Sequence, residues 1–183
     1  LQQAAMEATL ARRDSLVVMP TGAGKSICFQ APALVGDGVA LVVSPLISLM
    51  KDQVDTLVGN GVAAACYNNA LSSDQKTAVM AGVRDGRFRL LYVSPERLVG
   101  EGADVFLGRV ASGGAPVRFV AIDDAHCISQ WGHDFRPEYR QLGRLRDLFP
   151  GVSLHAFTAT ATARVRRDIA TQLALQDPLE LVG

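Results

Sequence analysis

The chain alternates short apolar runs with longer segments in which apolar side chains recur at helical spacing. The runs are rich in Val, Leu and Ile and lack polar alternation, which is typical of strands in a sheet covered on both faces. The predicted strands are 15–19, 39–44, 64–67, 88–94, 117–123, 153–157 and 179–182. The predicted helices are 2–12, 25–34, 46–59, 72–84, 103–111, 137–148 and 162–174. Because strand and helix alternate strictly, we expect an α/β fold whose mostly parallel sheet of about seven strands carries helices on both faces.

Two of the helix starts carry capping signals. Ser72 precedes Gln75 at the spacing of a capping box. Thr162 is placed to cap the last helix, in which Val165, Ile169 and Leu173 form one apolar stripe. The chain has no internal repeat, low-complexity tract or linker, so its 183 residues predict a single domain.

The composition narrows the class of protein only slightly. Hydrophobic residues make up 49% and charged residues 20%, with a net charge of +0, so overall charge gives no support to a nucleic-acid binder. No apolar run reaches the ~18 residues of a membrane span, and no signal peptide is visible. The cysteines are odd in number and widely spaced, which predicts reduced thiols in a cytoplasm and no zinc site in this chain. Because the chain starts at Leu1, we expect it to be a piece of a longer protein.

The segments just after the predicted strands are the candidate functional site. Ligands of open parallel sheets bind beyond the carboxyl ends of the strands. All of these segments are polar or rich in glycine. They read PTGAGKS, SPLISLMKDQ, SPERL, DDAHCISQWGHDF and TATAT.

The segment VVMPTGAGKS runs from a strand through a glycine-rich turn into a helix, which predicts a phosphate-binding loop. Glycines let backbone N–H groups point inward at phosphate oxygens, and the helix N-terminus adds partial positive charge. Lys25 supplies a cation for the outer phosphates, and the Ser26 hydroxyl is a magnesium ligand. The general pattern requires a Gly where this chain has Met19, so a glycine turn with an incidental Lys is the alternative. The predicted nucleotide-binding residues of the loop are Thr21, Gly22, Ala23, Gly24, Lys25 and Ser26.

Two adjacent carboxylates close the strand 117–123. Asp123 is placed to hold magnesium through water, and Asp124 to orient or deprotonate the attacking water. The alternative is a pair of solvated turn aspartates followed by a core histidine at His126. A phosphate loop on another strand of the same sheet favours the catalytic interpretation, which assigns catalytic roles to Lys25, Asp123, Asp124 and His126.

The motifs MPTGAGKS, VVSPLISLMKDQV, YVSPERL, DDAHCISQWGHDFRPEY and FTATAT occur in an order that resembles the RecQ family of DNA helicases over essentially the whole chain. GVAAAC and Leu1–Gln2 also fit, and the resemblance assigns Gln2 to the motif that reads adenine. It implies that residues 1–183 are one RecA-like lobe with a P-loop NTPase fold, the first half of a motor that moves 3′ to 5′ on single-stranded DNA. The resemblance also implies ATP and Mg²⁺ as cofactors, and single-stranded DNA and its junctions with duplex as partners. It implies a second RecA-like lobe and C-terminal domains outside this chain. The role it implies is a cytoplasmic one in DNA repair and recombination.

One residue departs from the family pattern. The family has Asp-Glu-Ala-His, whereas this chain has Asp at position 124. An Asp carboxylate is retracted by roughly 1.5 Å relative to that of Glu, and a misplacement of about 1 Å can cost ~10²-fold in rate. The substitution is compatible with an engineered, weakened form and with a natural variant that repositions the water.

The loop after the carboxylates, HCISQWGHDFRPEY, is predicted to contact DNA. Trp131 and Phe135 can stack on bases regardless of sequence, and Arg136 can pair with phosphate. Because the loop is continuous with the catalytic strand, a shift driven by DNA reaches Asp124 and His126 directly. The alternative is that both aromatics plug a small core under the loop. The full set predicted for DNA binding and coupling is Ser44, Ser48, Lys51, Arg97, Trp131, His133, Phe135, Arg136, Thr158 and Thr160.

Two other segments of this set have plain structural alternatives. Ser44, Ser48 and Lys51 can contact phosphates of the DNA strand, while the apolar residues between them bury one face of a helix. Arg97 can act similarly, or it can form only a structural ion pair with Glu96.

The segment FTATAT also admits two interpretations. Thr158 and Thr160 can hydrogen-bond toward the carboxylates through His126. The alternative is that Thr160 or Thr162 merely caps a helix.

These observations leave three hypotheses for function. The chain is the nucleotide-binding half of a DNA-unwinding motor, or a lobe that binds ATP and DNA but turns over poorly, or an unrelated phosphate-loop kinase or transporter ATPase. The third leaves the aromatic loop unexplained and lacks an acceptor lid in the sequence. We expect the isolated lobe to be nearly inactive, because such motors commonly need an arginine from a second element, worth ~10³–10⁵ in rate.

Overall fold

A computed structural model describes residues 1–20 and 24–183 and shows one sheet with helices on both faces. The seven strands are all parallel and lie in the order β3-β4-β2-β5-β6-β1-β7, which confirms the predicted α/β fold. Their bounds are β1 Ser15–Val18, β2 Val39–Val43, β3 Ala64–Tyr67, β4 Leu90–Val93, β5 Val117–Ile122, β6 Ser153–Thr158 and β7 Leu179–Val182.

The helices fall where the apolar periodicity predicts them, with two differences in type. Their bounds are α1 Gln2–Leu10, α2 Ile27–Gln30, α3 Ile47–Gly59, α4 Ser73–Arg84, α5 Ala103–Ala111, α6 Leu145–Leu148 and α7 Ala163–Gln172. Short 3₁₀ segments cover Pro32–Leu34, Pro95–Leu98, Ala125–Ile128 and Pro137–Arg144. None of the helices in the described ranges has the length and apolar character needed to cross a bilayer.

The prediction of one continuous helix over 25–34 is wrong. The α-helix ends at Gln30, and a 3₁₀ turn follows from Pro32. A proline ring lacks an N–H and clashes with the carbonyl four residues earlier, so it interrupts the α-helical ladder.

The predicted helix 137–148 is mostly a 3₁₀ helix. The α-helical part is confined to Leu145–Leu148. Tyr139, Leu142 and Leu145 are all fully buried, and they recur at a spacing of three. That spacing matches the three residues per turn of a 3₁₀ helix, which puts the three side chains on one buried edge.

Each face of the sheet buries its own apolar core. On one face, α1, α2 and α3 cover alternate strand residues such as Val42 and Tyr92. On the other, α5, α6 and α7 cover the intervening ones, such as Leu41 and Val93. Both predicted caps are confirmed, because Ser72 and Gln75 form a reciprocal capping box and Thr162 accepts the N–H of Val165.

Candidate nucleotide and nucleic-acid site

The strand order brings the phosphate loop and the carboxylate pair to one edge of the sheet. Strand β6 lies between β1 and β5, so the residues after Val18 and Ile122 are two strand positions apart. Thr158, at the end of β6, therefore lies between them, and its carbonyl accepts the N–H of Met19 at 3.0 Å. The predicted site is thus assembled at the carboxyl ends of three adjacent strands.

Lys25 bridges the two motifs directly. Its Nζ lies 3.2 Å from Oδ1 of Asp123 and 3.7 Å from Oδ1 of Asp124. All three side chains are at least three-quarters buried, so their charges interact more strongly than an exposed pair. The alternative of two solvated turn aspartates is wrong for Asp123, which is 5% exposed.

Asp123 is a buried carboxyl group beside the ammonium group of Lys25. Burial raises the pKa of its carboxyl, and Lys25 opposes that rise. Its Oδ1 also accepts the backbone N–H of Asp124 at 3.0 Å. The Tyr139 hydroxyl donates to the Asp123 carbonyl at 3.1 Å, which fixes the backbone at this point from the neighbouring 3₁₀ helix.

The described part of the phosphate loop shows why a glycine stands at its end. Gly24 has a φ of 77°, and an added Cβ would collide with the side-chain amide of Gln2. That amide donates to the Gly24 carbonyl at 3.2 Å, so Gln2 lies at the phosphate loop. Ser26 stands at the N-terminal end of α2. The predictions for Thr21, Gly22 and Ala23 lie outside the described residues.

Met19, where the general phosphate-loop pattern has Gly, is buried beneath this helix. Its sulfur lies 3.9 Å from the thiol of Cys28 on α2. The departure from the pattern therefore serves packing between β1 and α2.

Asp124 adopts a left-handed backbone conformation, with φ 51° and ψ 44°. Asp tolerates this region better than Glu does, because its short polar side chain can bond locally. Its side chain is 22% exposed, so it is partly open to solvent. The backbone thus supplies a physical reason for Asp at this position.

His126 is joined to β6 by a hydrogen bond with a defined direction. The Thr158 hydroxyl donates its only proton to the Thr160 carbonyl at 3.2 Å. Its oxygen therefore accepts from Nδ1–H of His126 at 2.8 Å, which leaves a lone pair on Nε2. Burial lowers the pKa of His126, so the ring is neutral at pH 7. Thr160 contributes its backbone carbonyl to this series of hydrogen bonds, while Thr162 caps α7.

Trp131 is exposed, and the interpretation that it plugs a small core is wrong. Its side chain is 58% exposed, and the guanidinium of Arg164 on α7 lies 3.4 Å from the ring centre. His133 stacks on His126 with ring centres 4.7 Å apart. The loop therefore presents Trp131 outward while His133 contacts His126.

The second half of the loop is more enclosed. Phe135 is half-buried beneath the guanidinium of Arg140, which lies 5.5 Å from the ring centre. Arg136 Nε lies 3.6 Å from Asp134, and its backbone N–H donates to the Cys127 carbonyl at 2.8 Å. Arg136 thus ties the end of the loop back to its start.

The residues after β2 divide between buried and exposed positions. Ser44 is 3% exposed, and its hydroxyl has no hydrogen-bond partner within the described part of the chain. Ser48 and Lys51 are exposed on α3, where Lys51 pairs with Asp55 at 2.6 Å. The packing interpretation holds for Met50, which is fully buried, but not for Leu46 and Leu49, which are exposed, and the contact with DNA phosphates stays a prediction.

Arg97 packs against aromatic rings. Its guanidinium lies 5.1 Å from the ring centre of Tyr67 and 5.9 Å from that of Phe106. The predicted alternative, an ion pair with Glu96, is not among the ion pairs of the described residues.

Two contributors to the site were missed from sequence. Tyr139 anchors the Asp123 carbonyl, and Arg164 covers Trp131. Tyr139 ends the segment HCISQWGHDFRPEY, and a buried tyrosine usually needs a hydrogen-bond partner for its hydroxyl. That need was the signal that could have identified it. Nothing in the sequence pairs Arg164 with Trp131, because the two are 33 residues apart and meet only through the packing of α7.

Comparison with known proteins agrees with this geometry. Residues 1–169 match the family model described as DEAD/DEAH box helicase. The chain is 49% identical over 182 residues to ATP-dependent DNA helicase RecQ of Pasteurella multocida, covering 100% of this chain and 28% of the relative. It is 48% identical to the RecQ of Bacillus subtilis, covering 92% and 28%. The Hef helicase domain of Pyrococcus furiosus has the same fold, with a TM-score of 0.70, 15% identity, and coverage of 99% of this chain and 38% of that one.

The chain spans less than a third of the length of these RecQ relatives. The sequence resemblance to RecQ helicases is confirmed by their identity over nearly the whole of this chain. Together with the family match over residues 1–169 and the shared fold, it establishes that the chain belongs to the DEAD/DEAH box helicase family.

Proposed function

We propose that this chain is the Mg-ATP-binding lobe of a DNA helicase that moves 3′ to 5′ on single-stranded DNA and unwinds duplex at junctions. The observation that carries the proposal is the contact of Lys25 with Asp123 at 3.2 Å, across two motifs of different strands. A lysine of a phosphate loop and a strand-end carboxylate at one edge are the pair that a nucleoside triphosphate with its metal requires.

The residues present fit a magnesium–nucleotide group. Mg²⁺ prefers oxygen ligands, and the Ser26 hydroxyl and the Asp123 carboxylate supply them. When bound, Mg²⁺ neutralises charge on the outer phosphates. Lys25 adds a second positive charge, and Gln2, whose side-chain amide donates to the Gly24 carbonyl, is assigned to adenine recognition. Asp124, with its partly exposed carboxylate, orients or deprotonates the attacking water.

Coupling to DNA is assigned to the chain of contacts from Trp131 to β6. The exposed Trp131 and the half-buried Phe135 offer stacking surfaces to bases, and Arg136 offers charge to phosphate. His133 stacks on His126, and His126 is bonded to Thr158, which lies between the phosphate loop and Asp123. A shift of the loop therefore moves a side chain at the edge where hydrolysis takes place.

Ser44, Ser48 and Lys51 extend the DNA path along the end of β2. Ser48 and Lys51 are exposed and are assigned contacts with phosphates, which give affinity without base preference, whereas Ser44, at 3% exposure, needs a local rearrangement to reach a phosphate. Arg97 belongs to this path only if DNA draws its guanidinium away from Tyr67, so its contribution to DNA affinity is the smallest of the set.

The full-length protein completes this site with parts outside the chain. We assign the missing arginine to a second RecA-like lobe, so residues 1–183 alone hydrolyse ATP slowly and do not unwind DNA. A cytoplasmic role in DNA repair and recombination is the part of the proposal that rests only on the resemblance to the RecQ family, because the names of the relatives state no more than an ATP-dependent DNA helicase.

The test is DNA-stimulated ATP hydrolysis by the full-length protein. Lys25→Ala is expected to lower kcat by about 10²–10³-fold, the usual cost of removing one group aimed at developing charge. Lys76→Ala is the matched control, since Lys76 lies on α4, which follows β3 at the far end of the strand order from β6 and β1, and it is expected to hydrolyse ATP at the wild-type rate. Equal loss in both variants, or no loss in Lys25→Ala, would contradict the assignment.

A second candidate is a lobe that binds ATP and DNA but turns over poorly. The observation that favours it is the short side chain of Asp124, held in a left-handed backbone conformation. Restoring a Glu at this position separates the two candidates.

A further inference from the structure

A cluster of three metal-ligating side chains lies at the base of the aromatic loop, beside the catalytic edge. His126, Cys127 and Asp134 each place one ligand atom within 4.8 Å of the others. The Cys127 Sγ lies 3.8 Å from Nε2 of His126 and 3.7 Å from Oδ2 of Asp134. Ligand atoms around a tetrahedral zinc ion stand roughly 3.5 Å apart, so two edges of the cluster already have nearly the right length.

The hydrogen bonding of His126 leaves the correct nitrogen free for a metal. Nδ1–H donates to Thr158, so the lone pair is on Nε2, the atom nearest to Cys127. A metal-bound histidine characteristically donates its other N–H to a fixed acceptor, which sets the tautomer and orients the ring. The Thr158 hydroxyl, itself fixed by the Thr160 carbonyl, is such an acceptor.

We propose that His126, Cys127 and Asp134 form a binding site for a thiophilic divalent metal ion of the zinc class, with water as the fourth ligand. His126 lines a surface cavity of about 460 Å³ together with Trp131 and His133, which gives an ion a route to the buried imidazole. Asp134 is exposed and needs to move about 1 Å to close the third edge. Binding replaces the thiol proton of Cys127, which passes to the solvent, and no oxidation takes place.

This site differs from the magnesium site in ligand chemistry and in place. Thiolate and imidazole ligands select zinc-class ions, whereas the Ser26 and Asp123 oxygens suit magnesium. The prediction of no zinc site rested on the wide spacing of the cysteines, but a mixed site requires only one of them. The bound ion ties residue 134 to residue 127 and occupies the Nε2 lone pair of His126. The loop is then held against the catalytic edge.

Cobalt(II) reports directly on such a site. After treatment with a chelator, the chain is titrated with Co²⁺ in the absence of ATP and DNA. We expect one equivalent to bind with a thiolate-to-cobalt charge-transfer band and the visible bands of four-coordinate cobalt, and we expect Zn²⁺ to abolish both. Because neither nucleotide nor DNA is present, a negative result leaves the proposed helicase function untouched.

Variants assign the ligands. Cys127→Ser is expected to abolish the charge-transfer band, whereas Cys66→Ser, which alters a half-buried free cysteine on β3, keeps it. Asp134→Asn is expected to weaken Co²⁺ binding at least tenfold, and Thr158→Val by about 10–100-fold through the orientation of His126. Asp134 is exposed, so its variant folds even if Cys127→Ser does not. The absence of the band in the wild-type chain, its survival in Cys127→Ser, or unchanged affinity in Asp134→Asn would overturn the proposal.

Discussion

The most informative substitution is Asp124→Glu, because it restores the residue of the family pattern at the position assigned to the attacking water. Asp124 Oδ1 lies 3.7 Å from Lys25 Nζ, whereas Asp123 lies at 3.2 Å, so the second carboxylate is the more distant of the two from the lysine. One additional methylene advances the carboxylate by about 1.5 Å, the length of a C–C bond. The Glu side chain therefore reaches farther toward Lys25 and the proposed phosphate site.

The expected size of the effect follows from that displacement. A misplacement of about 1 Å in a catalytic group can cost ~10²-fold in rate, so Asp124→Glu is expected to raise kcat by about 10²-fold. The left-handed φ of 51° at this position favours Asp over Glu, so the variant is expected to lose up to about 1 kcal/mol of stability. The gain in rate thus comes with a small loss in the free energy of unfolding.

The assay is steady-state ATP hydrolysis by the full-length protein with saturating single-stranded DNA. Asp124→Asn, which keeps the shape and removes the charge, is the matched control and is expected to be slower than both other forms. Urea unfolding of the same preparations checks that rate differences do not reflect unfolded protein. Equal kcat for the wild-type protein and Asp124→Glu would refute the reasoning that the shorter side chain limits hydrolysis.

Three further predictions concern buried polar groups. Asp14→Ala is expected to lower the free energy of unfolding, measured with urea, by about 3–5 kcal/mol, because it leaves the largely buried Arg146 and the buried N–H of Leu154 without their carboxylate. Thr158→Val removes the acceptor that orients His126, so DNA-stimulated kcat is expected to fall about tenfold, the equivalent of one hydrogen bond, with little change in the KM for ATP. Burial lowers the pKa of His155 to about 4. In the unfolded chain the His155 side chain takes up a proton near pH ~6.5, whereas in the folded chain it stays neutral down to pH ~4. The free energy of unfolding is therefore expected to fall by about 3 kcal/mol between these two pH values. Thermal melts of His155→Gln are expected to show a shallower fall over the same range.

Each of these predictions has a control that isolates its cause. Asp55→Ala breaks only the exposed pair with Lys51, so it is expected to change stability much less than Asp14→Ala, and a loss equal to that of Asp14→Ala would contradict the first prediction. Thr171→Val alters an exposed threonine of α7. An equal fall in kcat in this variant would contradict the claim that the effect of Thr158→Val comes from its hydrogen bond to His126. A pH profile that is identical in the wild-type chain and in His155→Gln would exclude His155 as the source of acid sensitivity.

The sheet could be predicted from sequence because a strand that is buried on both faces consists of a continuous run of apolar residues. The edge that carries the site followed from the parallel topology, since loops after parallel strands meet at one end. Helix type was less predictable. A spacing of three in Tyr139, Leu142 and Leu145 was visible, but in a short window it resembles one face of an α-helix.

A side-chain contact of the site could be predicted only where both residues belong to motifs that act on the same ligand. The meeting of Lys25 with Asp123 followed from their positions after two strands of one predicted parallel sheet. The contact of Arg164 with Trp131 did not, because it depends on where α7 packs after the chain has folded. The orientation of Arg97 over Tyr67 was hidden for the same reason, since a charge in a sequence does not indicate which way its side chain turns.

The most direct test of the central claim is a crystal structure of the full-length protein with Mg²⁺ and a non-hydrolysable ATP analogue. The account predicts that the outer phosphates contact Lys25 and that one magnesium ion is bound by the Ser26 hydroxyl, with Asp123 reaching the same ion through water. A nucleotide at the opposite edge of the sheet, or an ion that Ser26 and Asp123 do not share, would contradict it.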